Sequence, residues 1–107
     1  MTSHTVFPFA ELASGTARRV DIGPHKVCVV RIDDAVYAIG DTCSHADISL
    51  SEGEVLCETR EIECWKHGSA FHLETGEPAT LPATRPVPVY DAVVIAGDVV
   101  ITIDEAN

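Results

Sequence analysis

Apolar residues recur at every second position along much of this chain: Val20 and Ile22, Val27 and Val29, Val87 and Val89, Val93 and Ile95, then Val99, Ile101 and Ile103. A period of two puts alternate side chains on one face of an extended strand, so each run predicts a strand half-buried against a core. Turn-forming residues separate the runs. Gly23-Pro24-His25, Asp33-Asp34 and Gly97-Asp98 are each short enough to join neighbouring antiparallel strands as hairpins. Shorter strands are predicted at Glu54-Val-Leu-Cys57 and Glu61-Ile-Glu-Cys64, paired around Glu58-Thr-Arg60, and Ser69-Ala-Phe-His72 adds a third before the turn at Glu74-Thr-Gly76. The stretch from Phe9 to Ser14 hints at a helical turn. The pattern is that of an all-β domain.

At 107 residues, with no internal repeat, linker or low-complexity segment, the sequence reads as a single domain over 1–107. That length leaves no room for a catalytic domain beside a cofactor-binding one. No run approaches roughly 18 uninterrupted apolar residues, and the first eight residues lack a basic segment followed by an apolar one. A soluble, cytoplasmic monomer with no membrane partner is therefore expected. Seventeen Asp and Glu against seven Lys and Arg give a formal charge of -10, which argues against binding nucleic acid or an anionic membrane. A basic docking surface is the natural complement, and such attraction speeds encounter more than it deepens affinity. The same charge also serves solubility.

The candidate chemistry lies in two short segments, Cys43-Ser-His45 and Cys64-Trp-Lys-His67, which supply two thiolates and two imidazoles in matched pairs. Two readings are open. A structural zinc site usually draws on C-x2-4-C and H-x3-5-H pairs, and would be colourless and redox-silent. Here each segment offers one Cys and one His, as if two matching loops clamped a dinuclear cluster from both sides. Replacing two of four thiolates by histidines on one iron is the ligation of a Rieske 2Fe-2S centre. Gly40-Asp41 leads into the first pair and Gly68-Ser69 follows the second. The cluster loops, approximately 41–50 and 62–72, would form a small subdomain, and the predicted hairpin returns the second loop beside the first.

The run Cys43-Ser-His45 … Cys64-Trp-Lys-His67-Gly-Ser69 resembles Rieske proteins, and among them the small soluble Rieske ferredoxins that serve ring-hydroxylating oxygenases. The similarity extends through Ser49-Leu-Ser-Glu-Gly53 to Thr75-Gly76, and the proline-rich segment from Gly76 to Val89 resembles the family's third loop. The resemblance implies an all-β, Rieske (ISP-like) antiparallel β-sandwich with a small cluster-binding subdomain. It also implies one [2Fe-2S] cluster per chain, ligated by Cys43, His45, Cys64 and His67. The chain would not itself be an enzyme. It would take one electron from a flavin-dependent ferredoxin reductase and pass it to a terminal Rieske/non-heme iron oxygenase that supplies the aromatic specificity. Respiratory members carry a further cysteine pair joined as a disulfide; the matching positions are Ile48 and Lys66, so that bridge is absent. Accessory Rieske ferredoxins of iron-sulfur cluster assembly are a second reading, because the stretch from Leu81 to Tyr90 is similar to theirs. A third is the small subunit of nitrite reductase, which usually lacks the ligands that this chain has.

Two thiolates neutralise the oxidised core, whereas four would leave a double negative charge, so histidine ligation raises the potential into a range of about -150 to +300 mV. High-potential members continue His-Gly-Ser-x-Tyr, with both hydroxyls donating to cluster sulfur. This chain keeps Ser69 and has Phe71 in place of the tyrosine, which implies a low to intermediate potential. Phe71 is read as core, Trp65 as a shield between two ligands, and Pro82 as part of a cover over the cluster. Cys28 is read as a buried small hydrophobe and Cys57 as a similar strand residue. His4, His25 and His72 have no matching partners and are read as surface residues.

Overall fold

The structure, a computed structural model, describes residues 2–23, 25–42, 49–64, 69–79 and 86–103. Among the described residues, nine strands carry the fold. They are β1 (Thr2–Pro8), β2 (Thr16–Ile22), β3 (His25–Ile32), β4 (Ala35–Gly40), β5 (Glu54–Leu56), β6 (Glu61–Glu63), β7 (Ala70–His72), β8 (Val89–Ile95) and β9 (Asp98–Ile103). Two short 3-10 turns, Phe9–Glu11 and Leu50–Glu52, interrupt them, the first where the sequence hints at a helical turn. All pairings are antiparallel. A six-stranded sheet runs in the order β1-β9-β8-β4-β3-β2, and a three-stranded sheet runs β5-β6-β7. This is the all-β arrangement of a large antiparallel sheet with a small one beside it that the sequence leads one to expect.

The hairpins form where the turn residues stand. Ile22 pairs with His25, Ile32 with Ala35, and Ile95 with Asp98. Ala96 and Gly97 at the last turn have φ of 53° and 83°, the left-handed pair that matches the twist of a two-residue hairpin. Asp33 also sits at positive φ, as its short polar side chain permits.

Burial departs from the half-buried expectation at β3. Val27, Cys28, Val29 and Val30 are all fully buried, because β3 has a core on each face. Val27 and Val29 join Phe7, Leu12, Ile22, Ala38, Val99, Ile101 and Ile103 inside the large sheet. Cys28, Val30 and Ile32 turn the other way and meet Ile39, Leu50, Ile62, Phe71 and Leu73. The small sheet docks there through one row, since Val55 stands opposite Ile62 and Ile62 opposite Phe71. Burying a side chain such as Ile62 or Phe71 contributes about 1.5–3 kcal/mol, enough for a three-stranded sheet to hold its place.

At β8 the expected register is reversed. Val89, Val93 and Ile95 point outward and are 44%, 47% and 57% exposed. Tyr90 and Ala92 pack against the core instead. The reason is pairing: Ala92 lies opposite the buried Ile101, and residues directly opposite in a sheet share a face. Cys57 likewise lies not in a strand but exposed in the turn after β5, where the hairpin reverses. Arg60 closes that turn at a φ of 55° and donates to the Tyr37 hydroxyl at 3.1 Å and to Glu74 at 3.3 Å, tying the small sheet to β4.

Candidate metal centre

Of the four ligands expected from the sequence, Cys64 lies within the described residues; Cys43, His45 and His67 lie outside them, as do Trp65 and Pro82. The described chain shows how the segments that carry them begin and end. Thr42 and Ser49 form an isolated bridge that closes 43–48 at its base. Just below, Leu50 N–H donates to the Asp41 carbonyl at 2.5 Å, and Asp41 N–H donates to the Lys26 carbonyl on β3 at 3.0 Å. The Asp41 side chain is buried and accepts at both oxygens, from the Ser49 hydroxyl and from Ser51 N–H. The 65–68 segment is closed by Cys64 N–H donating to the Ser69 carbonyl at 2.6 Å, one step beyond the Glu63–Ala70 pair.

These two bases touch. A Cβ built on Gly53 would stand 1.8 Å from the Glu63 carbonyl oxygen, so the chain leaving the first base presses its bare backbone against the residue before Cys64. Only glycine allows that approach. The third segment, 80–85, starts and finishes at the same place. Ala79 N–H donates to the Ala70 carbonyl, and on the return Val87 N–H donates to the Gly76 carbonyl while the Pro88 carbonyl accepts from Gly40 N–H. Gly76 has a φ of 74°, and a Cβ there would lie 2.2 Å from the Val87 oxygen. The three segments therefore leave and rejoin one ring of neighbouring residues at the junction of the two sheets.

Cys64 is fully buried on the inner side of that ring, in the core shared by Leu50, Ile62 and Phe71. Cys28 is equally buried in the same core; what sets Cys64 apart is its place just past the end of β6, where its N–H closes the base of the 65–68 segment. The chemistry of the donor set, two cysteines and two histidines, fits an iron-sulfur cluster. Ser69 is also fully buried, and Phe71 is a core residue as read from the sequence. Cys28 belongs to the same core, where burial pushes its thiol pKa far up and the Asp41 carboxylate adds to the rise. Among the described residues Cys28, Cys57 and Cys64 form no disulfide.

The remaining histidines are less exposed than the sequence suggests. His72 is half-exposed, with Nδ1 3.5 Å from Glu61. His25 is partly buried and packs edge-on to Tyr90, their centroids 6.0 Å apart. His4 faces the inner side beside Ile101, and its Nε2 is buried without a partner. A surface reading fails for His4 because β1 pairs along its length with β9. Asp41 and Gly53 appear in the sequence only as neighbours of the ligand pairs, with no role assigned to either. The signal was present in Asp41 followed by Ser49 and Ser51, an acceptor with two nearby donors, but the pairing is visible only once the chain turns back.

Comparison with known proteins bears on the same region. The family model described as the Rieske [2Fe-2S] domain matches residues 2–91. The 3-phenylpropionate/cinnamic acid dioxygenase ferredoxin subunit of Escherichia coli (strain K12) is 38% identical over 100 residues, covering 94% of this chain and 92% of that one. Among solved structures, the ferredoxin of carbazole 1,9a-dioxygenase from Nocardioides aromaticivorans IC177 superposes with a TM-score of 0.93 at 36% identity, over 97% of this chain and all of the other. A complex of reduced oxygenase and oxidised ferredoxin in carbazole 1,9a-dioxygenase matches with a TM-score of 0.86 at 39% identity, over 92% of this chain and 91% of that one.

Proposed function

Because this chain belongs to the Rieske [2Fe-2S] domain family, we propose that it works as the ferredoxin of a ring-hydroxylating dioxygenase system, taking electrons singly from a flavin-dependent reductase and delivering them to the terminal non-heme iron oxygenase. It carries one [2Fe-2S] cluster and is an electron-transfer component, not a catalyst. The observation that carries this reading is the buried Cys64 beside the described residues that flank the three segments, in a chain that matches dioxygenase ferredoxins over nearly its whole length.

Cys43 and Cys64 would hold the cluster through thiolate sulfur, and His45 and His67 through ring nitrogen. Bound there, the cluster supplies a one-electron couple. The chain's own residues set its surroundings. Leu50, Ile62 and Phe71 keep water from the inner side, and the paired bases at Thr42/Ser49 and Cys64/Ser69 hold the ligand segments in register. Ser69 is assigned as a donor toward cluster sulfur, with Trp65 and Pro82 shielding the outer side. Phe71, with no hydroxyl to donate, keeps the potential low to intermediate.

The partners dock through basic surfaces. Glu52, Glu54, Glu58, Glu74 and Glu77 are exposed on the small subdomain, whose one described cation, Arg60, already engages Glu74. The carrier works as a cytoplasmic monomer and a single domain; among the described residues no helix is long and apolar enough to cross a membrane.

The test is low-temperature EPR of the dithionite-reduced protein, with iron and acid-labile sulfide assayed on the same sample. A rhombic mixed-valence signal with two irons and two sulfides per chain is expected, and Cys64→Ser is expected to abolish it. Zinc in place of iron, with no signal after anaerobic reconstitution, would overturn the reading.

A further inference from the structure

Gly40 and Gly53 stand at the described bases of the three segments, and neither needs glycine for its backbone conformation. Gly53 is extended, with φ -84° and ψ -176°, and Gly40 is not at positive φ. What both positions lack is space. A Cβ on Gly53 would stand 1.8 Å from the Glu63 carbonyl oxygen and 3.2 Å from that of Leu50, which also accepts from Gly53 N–H at 2.9 Å. A Cβ on Gly40 would lie 2.9 Å from Pro88 Cδ, a ring atom tied to the backbone, while Gly40 N–H donates to the Pro88 carbonyl at 2.8 Å. Gly53 thus seats the chain leaving the first base against the residue before Cys64, and Gly40 seats the chain entering that base against the return of the third segment.

We infer that Gly40 and Gly53 are positioning residues for the cluster, their bare backbones setting how closely the three bases approach and so where the two ligand pairs meet the iron. The inference rests on the cluster assignment above. Each ligand segment brings one Cys and one His, so the spacing of the bases is common to both pairs. At Gly53 the coupling to a ligand is direct. The Glu63 carbonyl belongs to the same planar peptide unit as Cys64 N–H, which closes the second base on the Ser69 carbonyl, so a push on that oxygen tilts the peptide from which Cys64 springs. A ligand set must be held within roughly 0.5 Å of its working geometry, whereas relieving a methyl at Gly53 would open the contact by about 1 Å. The Gly40 contact asks for a smaller displacement of Pro88.

The experiment compares holo wild type, Gly53→Ala, Gly40→Ala and Gly97→Ala by low-temperature EPR after dithionite reduction, and by the rate at which an iron chelator bleaches the visible spectrum of the folded protein. Gly97 has a φ of 83° and nothing within 4 Å of its Cβ position, so Gly97→Ala brings backbone strain without a contact at the bases. Gly53→Ala is expected to shift the g values and to lose its cluster about tenfold faster or more, Gly40→Ala to do the same to a lesser degree, and Gly97→Ala to keep the wild-type spectrum and rate. A loaded Gly53→Ala protein with wild-type g values would overturn the inference. So would equal changes in Gly97→Ala, since general destabilisation would then be the cause. Should Gly53→Ala not load, Gly40→Ala decides by the same criterion. Wild type without a rhombic signal would instead sink the cluster assignment, so the two failures are distinct.

Discussion

Cys28 shows how one residue's chemistry follows from its surroundings. The thiol lies on β3 among Val30, Ile39, Ile62 and Phe71, and burial there disfavours the thiolate, with the Asp41 carboxylate adding to the effect. In the unfolded chain Cys28 loses its proton near its ordinary value of 9.0, whereas in the fold it keeps it to much higher pH. Stability from this group is therefore full below about pH 9 and falls as pH rises above it, because only the unfolded state releases the proton. Denaturant titrations of the wild type above that pH are expected to show a decline steeper than those of Cys28→Ala by about 1.4 kcal/mol per pH unit. Equal slopes would mean that the thiol is not shielded. Cys57, the same residue type, stands exposed in a turn, so chain position alone does not tell the two apart.

Among elements, β8 and β9 test whether pairing or hydropathy decides a face. Both strands carry alternating aliphatic residues, yet Ile101 is fully buried while Val93 is nearly half exposed. Ile101→Ala should cost about 2–5 kcal/mol in unfolding free energy, the loss of burial plus a cavity. Val93→Thr should fall within about 0.5 kcal/mol of wild type, as surface substitutions do. Similar losses for both would restore the face that alternation suggested. The small sheet makes the complementary point. Its strands are three residues each, too short to be stable alone. They persist because Val55, Ile62 and Phe71 form one row against β3 and β4.

For the whole molecule, charge and architecture combine. The formal charge of -10 includes the exposed Glu54, Glu58, Glu74 and Glu77 around the small sheet, so on the function proposed above a basic partner would be steered toward that sheet. Stopped-flow reduction by a cognate reductase should slow as ionic strength rises, with the second-order rate falling at least several-fold between low and physiological salt. A rate independent of salt would remove steering from the account. Much of this was legible in the sequence. Alternation, turn residues and the Cys/His pairs gave the strands, the hairpins, the small subdomain and the nature of the cofactor, because those depend on local periodicity and on donor chemistry. What the sequence could not give is contact between distant segments. That β3 has two cores, that β8 turns Val93 outward, that His4 faces inward, and that Gly53 meets the Glu63 carbonyl all follow from which strand lies beside which. The same is true of Asp41, an ordinary acidic residue in the sequence. Its side chain becomes buried and held only when Ser49 and Ser51 return to it across the base of the 43–48 segment, because burial is a property of packing that no stretch of chain carries by itself.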